Sequence, residues 1–100
     1  MARAKINLPK ERIADFCVRN HIRRLAFFGS VLRPDFRPDS DVDVVVEFHA
    51  GFSPGLDFFR MQAELSEIVG RRVDLNTPGF LGRHFRDRVM AEAEVQYVAQ

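Results

Sequence analysis

The chain has 100 residues, 46% of them hydrophobic, and carries a formal net charge of only +1 at pH 7. This length predicts one domain over residues 1–100, with a core large enough to fold and little room for a second module. The small charge argues against direct nucleic-acid binding, which usually shows a strong basic excess.

The first predicted element is an amphipathic helix over residues 9–20, which follows a basic and loosely ordered segment, residues 1–8. Ile13, Phe16 and Cys17 recur at helical spacing and form its apolar face. Cys17 is the only cysteine of the chain, so an internal disulfide is impossible. A core cysteine in a sequence without a signal peptide or a long apolar run predicts a cytoplasmic protein that does not enter membranes.

An apolar strand is predicted over about residues 23–28, and it ends at a Gly29-Ser30 turn. Gly29 lets the backbone approach a ligand closely, while the Ser30 hydroxyl and nearby backbone N–H groups can donate hydrogen bonds to a phosphate. One short helical turn and an exposed loop, residues 35–40, are predicted next. The turn is therefore a candidate phosphate-binding element.

The second predicted strand begins with two alternate aspartates, Asp41 and Asp43. Alternation puts Val42 and Val44 on one face and both carboxylates on the other. Carboxylates two residues apart on a strand are roughly 6.5–7 Å apart, and they repel by roughly 2 kcal/mol at an effective dielectric of about 20. A hard divalent cation turns this repulsion into attraction, so the pair predicts half of a magnesium-nucleotide site.

A loop over residues 49–55 leads into a second predicted helix, with Ser53 as its cap and Pro54 as its first residue. The helix continues to about Val69 and ends at Gly70. Its apolar stripe is predicted to be part of the core and consists of Phe58, Met61, Leu65, Ile68 and Val69.

A third strand is predicted over residues 72–76, with Val73 and Leu75 inward and Asp74 on the opposite face. The helix between strands two and three is long enough for a crossover, which makes these strands parallel neighbours. Strands one and two have a shorter connection and are predicted to be antiparallel. Asp74 then points the same way as Asp41 and Asp43, and three carboxylates converge.

A turn over residues 77–79 precedes a last helix, predicted over residues 81–92 with Phe85, Val89 and Met90 inward. Arginines 83, 86 and 88 are predicted to point outward, and residues 95–98 to form a short strand or a docking tail. The predicted fold is therefore α/β (α+β), a small mixed β-sheet with helices packed mainly on one face.

The sequence contains Gly29-Ser30, followed after ten residues by Asp41-x-Asp43. This spacing resembles the signature of the minimal nucleotidyltransferases of the DNA polymerase β superfamily. Two further family positions are matched by Arg33 and Asp74, and the resemblance covers essentially the whole chain. It implies a polymerase β-like fold, in which Asp41, Asp43 and Asp74 bind Mg²⁺ and act in catalysis.

The same resemblance implies that Gly29, Ser30 and Arg33 bind the triphosphate of ATP. The chain departs from the family at Pro34, because many members have glycine there. Proline has no backbone N–H, so any phosphate contact made by that amide elsewhere in the family is absent here.

The small size also resembles the MNT antitoxins encoded beside HEPN-type ribonuclease toxins. This implies transfer of AMP from ATP to a hydroxyl, expected to be a tyrosine, of a cognate HEPN toxin, which is thereby neutralised. Two other functions stay open: a non-catalytic antitoxin that masks the toxin by binding, and a nucleotidyltransferase for a small molecule such as an aminoglycoside. The chain has little room for an acceptor domain, so the acceptor site is expected from a partner protein or a second copy, as a hetero-oligomer or homodimer.

Overall fold

The computed structural model describes residues 8–34, 36–37 and 39–99. Within them lie three helices, α1 (Lys10–Arg19), α2 (Asp57–Val69) and α3 (Arg83–Glu92). The strands are β1 (Ile22–Phe28), β2 (Val42–Phe48), β3 (Val73–Asn76) and β4 (Glu94–Val98), and two short 3-10 helices span Gly29–Leu32 and Pro78–Phe80. The predicted loose segment falls almost wholly outside the described residues.

The four strands form one mixed sheet in the order β3-β2-β1-β4. β2 is antiparallel to β1 and parallel to β3, and β4 is antiparallel to β1. These pairings confirm the predicted topology of the first three strands and the mixed α/β fold. They also show that residues 95–98 belong to a strand, one of the two alternatives predicted for them.

The main core lies between one face of the sheet and the helices α1 and α2. Both predicted helical stripes supply it, because Ile13 and Phe16 of α1 and Met61 and Leu65 of α2 are at most 1% exposed. Complete burial of an aliphatic or aromatic side chain of this size is worth about 1.5–3 kcal/mol. α3 packs on the opposite face of the sheet, where its Val89 contacts a second cluster with Ala26, Phe28 and Val45.

Cys17 is fully buried in the main core, as predicted. Burial raises the pKa of its thiol to about 12, because the surrounding apolar side chains cannot solvate a thiolate. The residue therefore behaves as a small hydrophobic side chain. Among the described residues, no helix has the length and apolar content that crossing a membrane requires.

A β-bulge at the start of β1 keeps Ile22 and Leu25, which are separated by two arginines, on the same face of the sheet. Ile22 pairs with Phe48 and Arg24 pairs with Glu47, so one residue of β1 lies opposite no partner. The extra residue allows both Ile22 and Leu25 to enter the main core.

The predicted start of the second helix is wrong. α2 begins at Asp57, after Leu56 as its N-cap, and no side chain caps it. The reason is the backbone at Gly55, whose φ of +58° is left-handed and cannot continue a right-handed helix from Pro54. The predicted end is confirmed, since Gly70 is a left-handed C-cap with φ of +80°.

Candidate active site

The three predicted carboxylates lie on one side of the sheet. Asp43 of β2 is paired in register with Asp74 of β3, and both occupy the face opposite the core residues Val44 and Leu75. Asp41 lies one residue before β2 and two residues before Asp43, so the alternation of the chain directs it to the same side. The structure therefore places all three acids on the same side of the sheet, as predicted, while their catalytic role stays a prediction.

Asp43 is the half-buried member of this acid cluster, whereas Asp41 and Asp74 are exposed. Desolvation by burial is the largest cause that raises the pKa of Asp43, and the negative charges of Asp74 and Asp41 raise it further. The backbone N–H of Ser30, which donates a hydrogen bond to the carboxylate, and the nearby charge of Arg33 oppose this effect. Ionised Asp43 thus sits in an environment that a bound cation would stabilise.

The Gly29-Ser30 turn is joined to the start of β2. Phe28, the last residue of β1, pairs with Asp43, so the next residue of the chain lies directly against that carboxylate. Gly29 has φ of +74°, and a Cβ atom there would overlap the Oδ2 atom of Asp43. Ser30 also donates from its hydroxyl to the carbonyl oxygen of Asp41 at 3.4 Å. Glycine is therefore favoured here both by backbone conformation and by the closeness of the acid.

A cleft of about 470 Å³ opens in front of this turn, within the roughly 300–1,000 Å³ of small-ligand pockets. One wall contains Gly29, Ser30, Arg33 and Asp43, all predicted site residues. The opposite wall is formed by α3 and consists of Phe85, Arg88, Val89 and Glu92. The cleft thus places two guanidinium groups on the side of Asp43 that faces α3, where they suit a polyphosphate.

Three residues of α3 that line the cleft were missed or misplaced when the site was predicted from the sequence: Phe85, Arg88 and Glu92. Arg88 was predicted to point outward and was not assigned to the site, and Phe85 was predicted to be buried but is 52% exposed. The cause is that α3 touches the sheet mainly through Val89, so residues on neighbouring turns border the cleft. The spacing of Phe85, Arg88 and Glu92 along one helix face was the available signal.

Two side chains of α2 hold the strand that carries Asp74. Ser66 Oγ accepts a hydrogen bond from the backbone N–H of Val73 at 3.0 Å, and Gln62 Oε1 accepts one from Leu75 at 2.9 Å. These contacts satisfy donors of an edge strand on either side of Asp74. They therefore position the third acid of the cluster, and no motif in the sequence signalled them.

The donor set of the acid cluster fits Mg²⁺, which prefers carboxylate oxygens and usually binds through one or two carboxylates together with substrate phosphates. In the described part of the chain, no three His, Cys, Asp or Glu side chains are close enough together to hold an ion by themselves. Asp41 instead lies 3.7 Å from the Nε atom of Arg72. The arrangement fits an ion that arrives with a nucleotide.

The family model for the nucleotidyltransferase domain matches residues 10–97 of the chain. A relative from Methanocaldococcus jannaschii, MJ0435, which is named as a protein adenylyltransferase, is 35% identical over 88 residues, covering 88% of this chain and 94% of that protein. A solved minimal nucleotidyltransferase is 36% identical with a TM-score of 0.70, covering 84% of this chain and 85% of the other. A toxin-antitoxin crystallised with AMP-PNP shares the fold, with a TM-score of 0.74 at 18% identity over 93% of this chain and 76% of that one.

Proposed function

Because this chain belongs to the nucleotidyltransferase domain family and is an enzyme of that class, we propose that it transfers AMP from ATP to a hydroxyl group of a partner protein. The observation that carries the proposal is the paired Asp43 and Asp74 beside the Gly29-Ser30 turn. The name of the M. jannaschii relative supports a protein acceptor, and the fold shared with a toxin-antitoxin supports an antitoxin role.

The reaction forms one bond to phosphorus and breaks another. The acceptor hydroxyl oxygen attacks the α-phosphorus of ATP, the bond from this phosphorus to the oxygen bridging the β-phosphate breaks, and pyrophosphate leaves. The carboxylate of Asp74 accepts the hydroxyl proton and passes it to solvent. The carboxylates of Asp41, Asp43 and Asp74 would hold Mg²⁺ together with the nucleotide phosphates, and the ion would neutralise the negative charge that develops on the phosphoryl oxygens.

The cleft beside α3 holds the nucleotide in this proposal. Backbone N–H groups of the Gly29-Ser30 turn and the guanidinium groups of Arg33 and Arg88 contact the triphosphate. The exposed ring of Phe85 offers a surface on which the base stacks. These contacts keep the pyrophosphate leaving group on the side of the acid cluster that faces α3.

Replacing Arg88 with alanine is expected to weaken AMP-PNP binding roughly tenfold or more, because a charge-assisted hydrogen bond contributes about 1.5–3 kcal/mol. Isothermal calorimetry with MgCl₂ present measures the affinity. Arg83→Ala is the matched control, since Arg83 lies on the same helix, is exposed, and does not line the cleft. Equal affinities of the two variants would contradict a phosphate-binding role for Arg88.

We further propose that the acceptor is a tyrosine of a cognate HEPN-type toxin, which adenylylation silences in the cytoplasm. Co-expression with the protein encoded by the adjacent reading frame, followed by intact mass spectrometry of that protein, tests this. The expected result is the added mass of one adenylyl group, which disappears when the chain carries Asp41→Asn and Asp43→Asn together.

Two other results would replace the proposal by a different function. Neutralisation of the partner by the double variant, with no added mass, would indicate an antitoxin that masks the toxin by binding. Turnover of an aminoglycoside without any protein partner would indicate a small-molecule transferase.

A further inference from the structure

A second cavity, of about 640 Å³, begins beside Asp74 at the β3 edge of the sheet. Five phenylalanines dominate its lining, and we call it the phenylalanine pocket: Phe48, Phe52, Phe58, Phe59 and Phe80. Phe59 is 68% exposed and Phe80 is 72% exposed. Exposed aromatic rings gathered around a concave surface are typical of a binding site.

Aromatic contacts and the core hold most of this pocket in shape. Phe52 stacks on His21 with ring centroids 4.4 Å apart, and it contacts Phe48 at 5.4 Å. Phe58 meets Phe80 edge to face at 5.7 Å. Phe48, Phe52 and Phe58 also pack against the main core. Three rings of the pocket are therefore anchored on the core, while Phe59 and Phe80 expose most of their surface to solvent.

The charge of the pocket lining does not favour a polyphosphate. Its residues include no lysine or arginine, and Asp74 is the one charged side chain among them. The nucleotide cleft, by contrast, has Arg33 and Arg88 to offset its own acids, Asp43 and Glu92. A triphosphate would be repelled by Asp74 without compensation, whereas a neutral aromatic side chain would bury its ring against phenylalanines and keep a hydroxyl near the carboxylate.

We propose that the phenylalanine pocket is the acceptor subsite and that it binds a tyrosine side chain of a polypeptide with its hydroxyl toward Asp74. This inference rests on the proposed function. The two cavities border neighbouring acids, since Asp43 lines the cleft and its register partner Asp74 lines the pocket.

In-line transfer requires the entering and leaving oxygens on opposite sides of the α-phosphorus. The placement of the two cavities fits this requirement. Pyrophosphate departs toward the arginines, and the tyrosine oxygen enters from the phenylalanine pocket after its proton passes to Asp74.

The test uses N-acetyl-tyrosine amide as the acceptor probe, N-acetyl-serine amide as its comparison, and ATP labelled at the α-phosphate. Phe80→Ala is expected to lower kcat/KM for the tyrosine probe about tenfold, because the contact between the Phe80 ring and the tyrosine ring is lost. Its AMP-PNP affinity is expected to stay unchanged. Val18→Ala, also at an exposed apolar position but on α1, is expected to change neither. Both truncated side chains are exposed, so both variants are expected to fold.

Binding is measured independently through the ring resonances of protein labelled at phenylalanine. The tyrosine probe is expected to shift the rings of Phe59 and Phe80 but not that of Phe27, which is buried in the main core. Shifts of the pocket rings with AMP-PNP instead of the probe, or a parallel loss of AMP-PNP affinity in Phe80→Ala, would show that the pocket holds the base and would overturn the inference.

Unchanged kcat/KM in Phe80→Ala together with unshifted pocket rings would also overturn it. Failure of the proposed function is seen separately, as the absence of AMP on the co-expressed partner protein.

Discussion

Replacing Asp43 with asparagine is expected to reduce AMP transfer by about a thousandfold. Charge neutralisation at the phosphoryl group is worth several kcal/mol of transition-state stabilisation, and about 4 kcal/mol corresponds to a thousandfold in rate. Asparagine preserves the shape of the side chain but offers one neutral oxygen to a cation. The rate is measured with α-labelled ATP and the co-expressed partner, at saturating MgCl₂.

The same substitution is expected to raise Tm in magnesium-free buffer containing a chelator. Burial and the charges of Asp74 and Asp41 raise the pKa of Asp43, so its ionised form destabilises the folded chain. The neutral amide removes that cost, and each 1 kcal/mol shifts Tm by about 4–8 °C in a domain of this size. The gain shrinks as pH falls through the raised pKa, because Asp43 itself then becomes protonated.

Asp57→Asn is the matched control, for which the expected change in Tm has the opposite sign. Asp57 accepts a hydrogen bond from Nε of Arg60 at 3.2 Å, which lowers the pKa of the Asp57 carboxyl. Its neutralisation is therefore expected to lower Tm slightly at neutral pH and to leave AMP transfer unchanged. A lower Tm in Asp43→Asn would contradict the destabilising effect of the ionised Asp43 carboxylate, and retained transfer by that variant would contradict its proposed catalytic role.

Replacing Gly29 with alanine is expected to lower both stability and nucleotide affinity. Gly29 has φ of +74°, which costs an L-residue roughly 1–2 kcal/mol. In addition, the new Cβ would overlap the Asp43 carboxylate and push the Gly29-Ser30 turn away from β2. We expect Tm to fall by several degrees and AMP-PNP affinity to fall roughly tenfold or more, through loss of contacts from the displaced turn.

Gly51→Ala separates these two causes. Gly51 has φ of +84°, but a Cβ built there meets nothing within 4 Å. This control variant therefore carries the backbone cost alone, and its AMP-PNP affinity is expected to match that of the unmodified chain. Equal losses of Tm in both variants, with unchanged affinity in Gly29→Ala, would show that the close approach to Asp43 has no functional role. Thermal denaturation and calorimetry supply the two measurements.

Local periodicity was enough to predict much of the fold and the arrangement of the acid cluster. Alternation along β2 separates Asp43 from the buried Val42 and Val44, whatever surrounds the strand. The stripe of α2, from Met61 to Ile68, follows from helical spacing in the same way. Each of these predictions concerns which face of its own element a residue occupies.

The errors occur where a backbone conformation or the extent of packing decided the outcome. The start of α2 depends on the left-handed backbone of Gly55, and glycine adopts either hand at little cost. The exposure of Phe85 depends on how far α3 extends over the sheet. The first property has no local pattern in the sequence, and helical spacing shows which residues share a face with Phe85 but not whether the sheet covers that face.

The sequence by itself determined which residues lie on each face of the strands and helices. The spacing of its Gly-Ser and Asp-x-Asp motifs also determined the candidate chemistry. Only the tertiary structure decided that Arg88 and Phe85 border the cleft beside the Gly29-Ser30 turn. It also decided that Gln62 and Ser66 hold the strand of Asp74 and that distant phenylalanines form one pocket. The physical reason is that burial of apolar area is non-directional. The face of its element on which a residue lies follows from its neighbours in the chain. Which other element covers that face depends on the packing of the whole molecule.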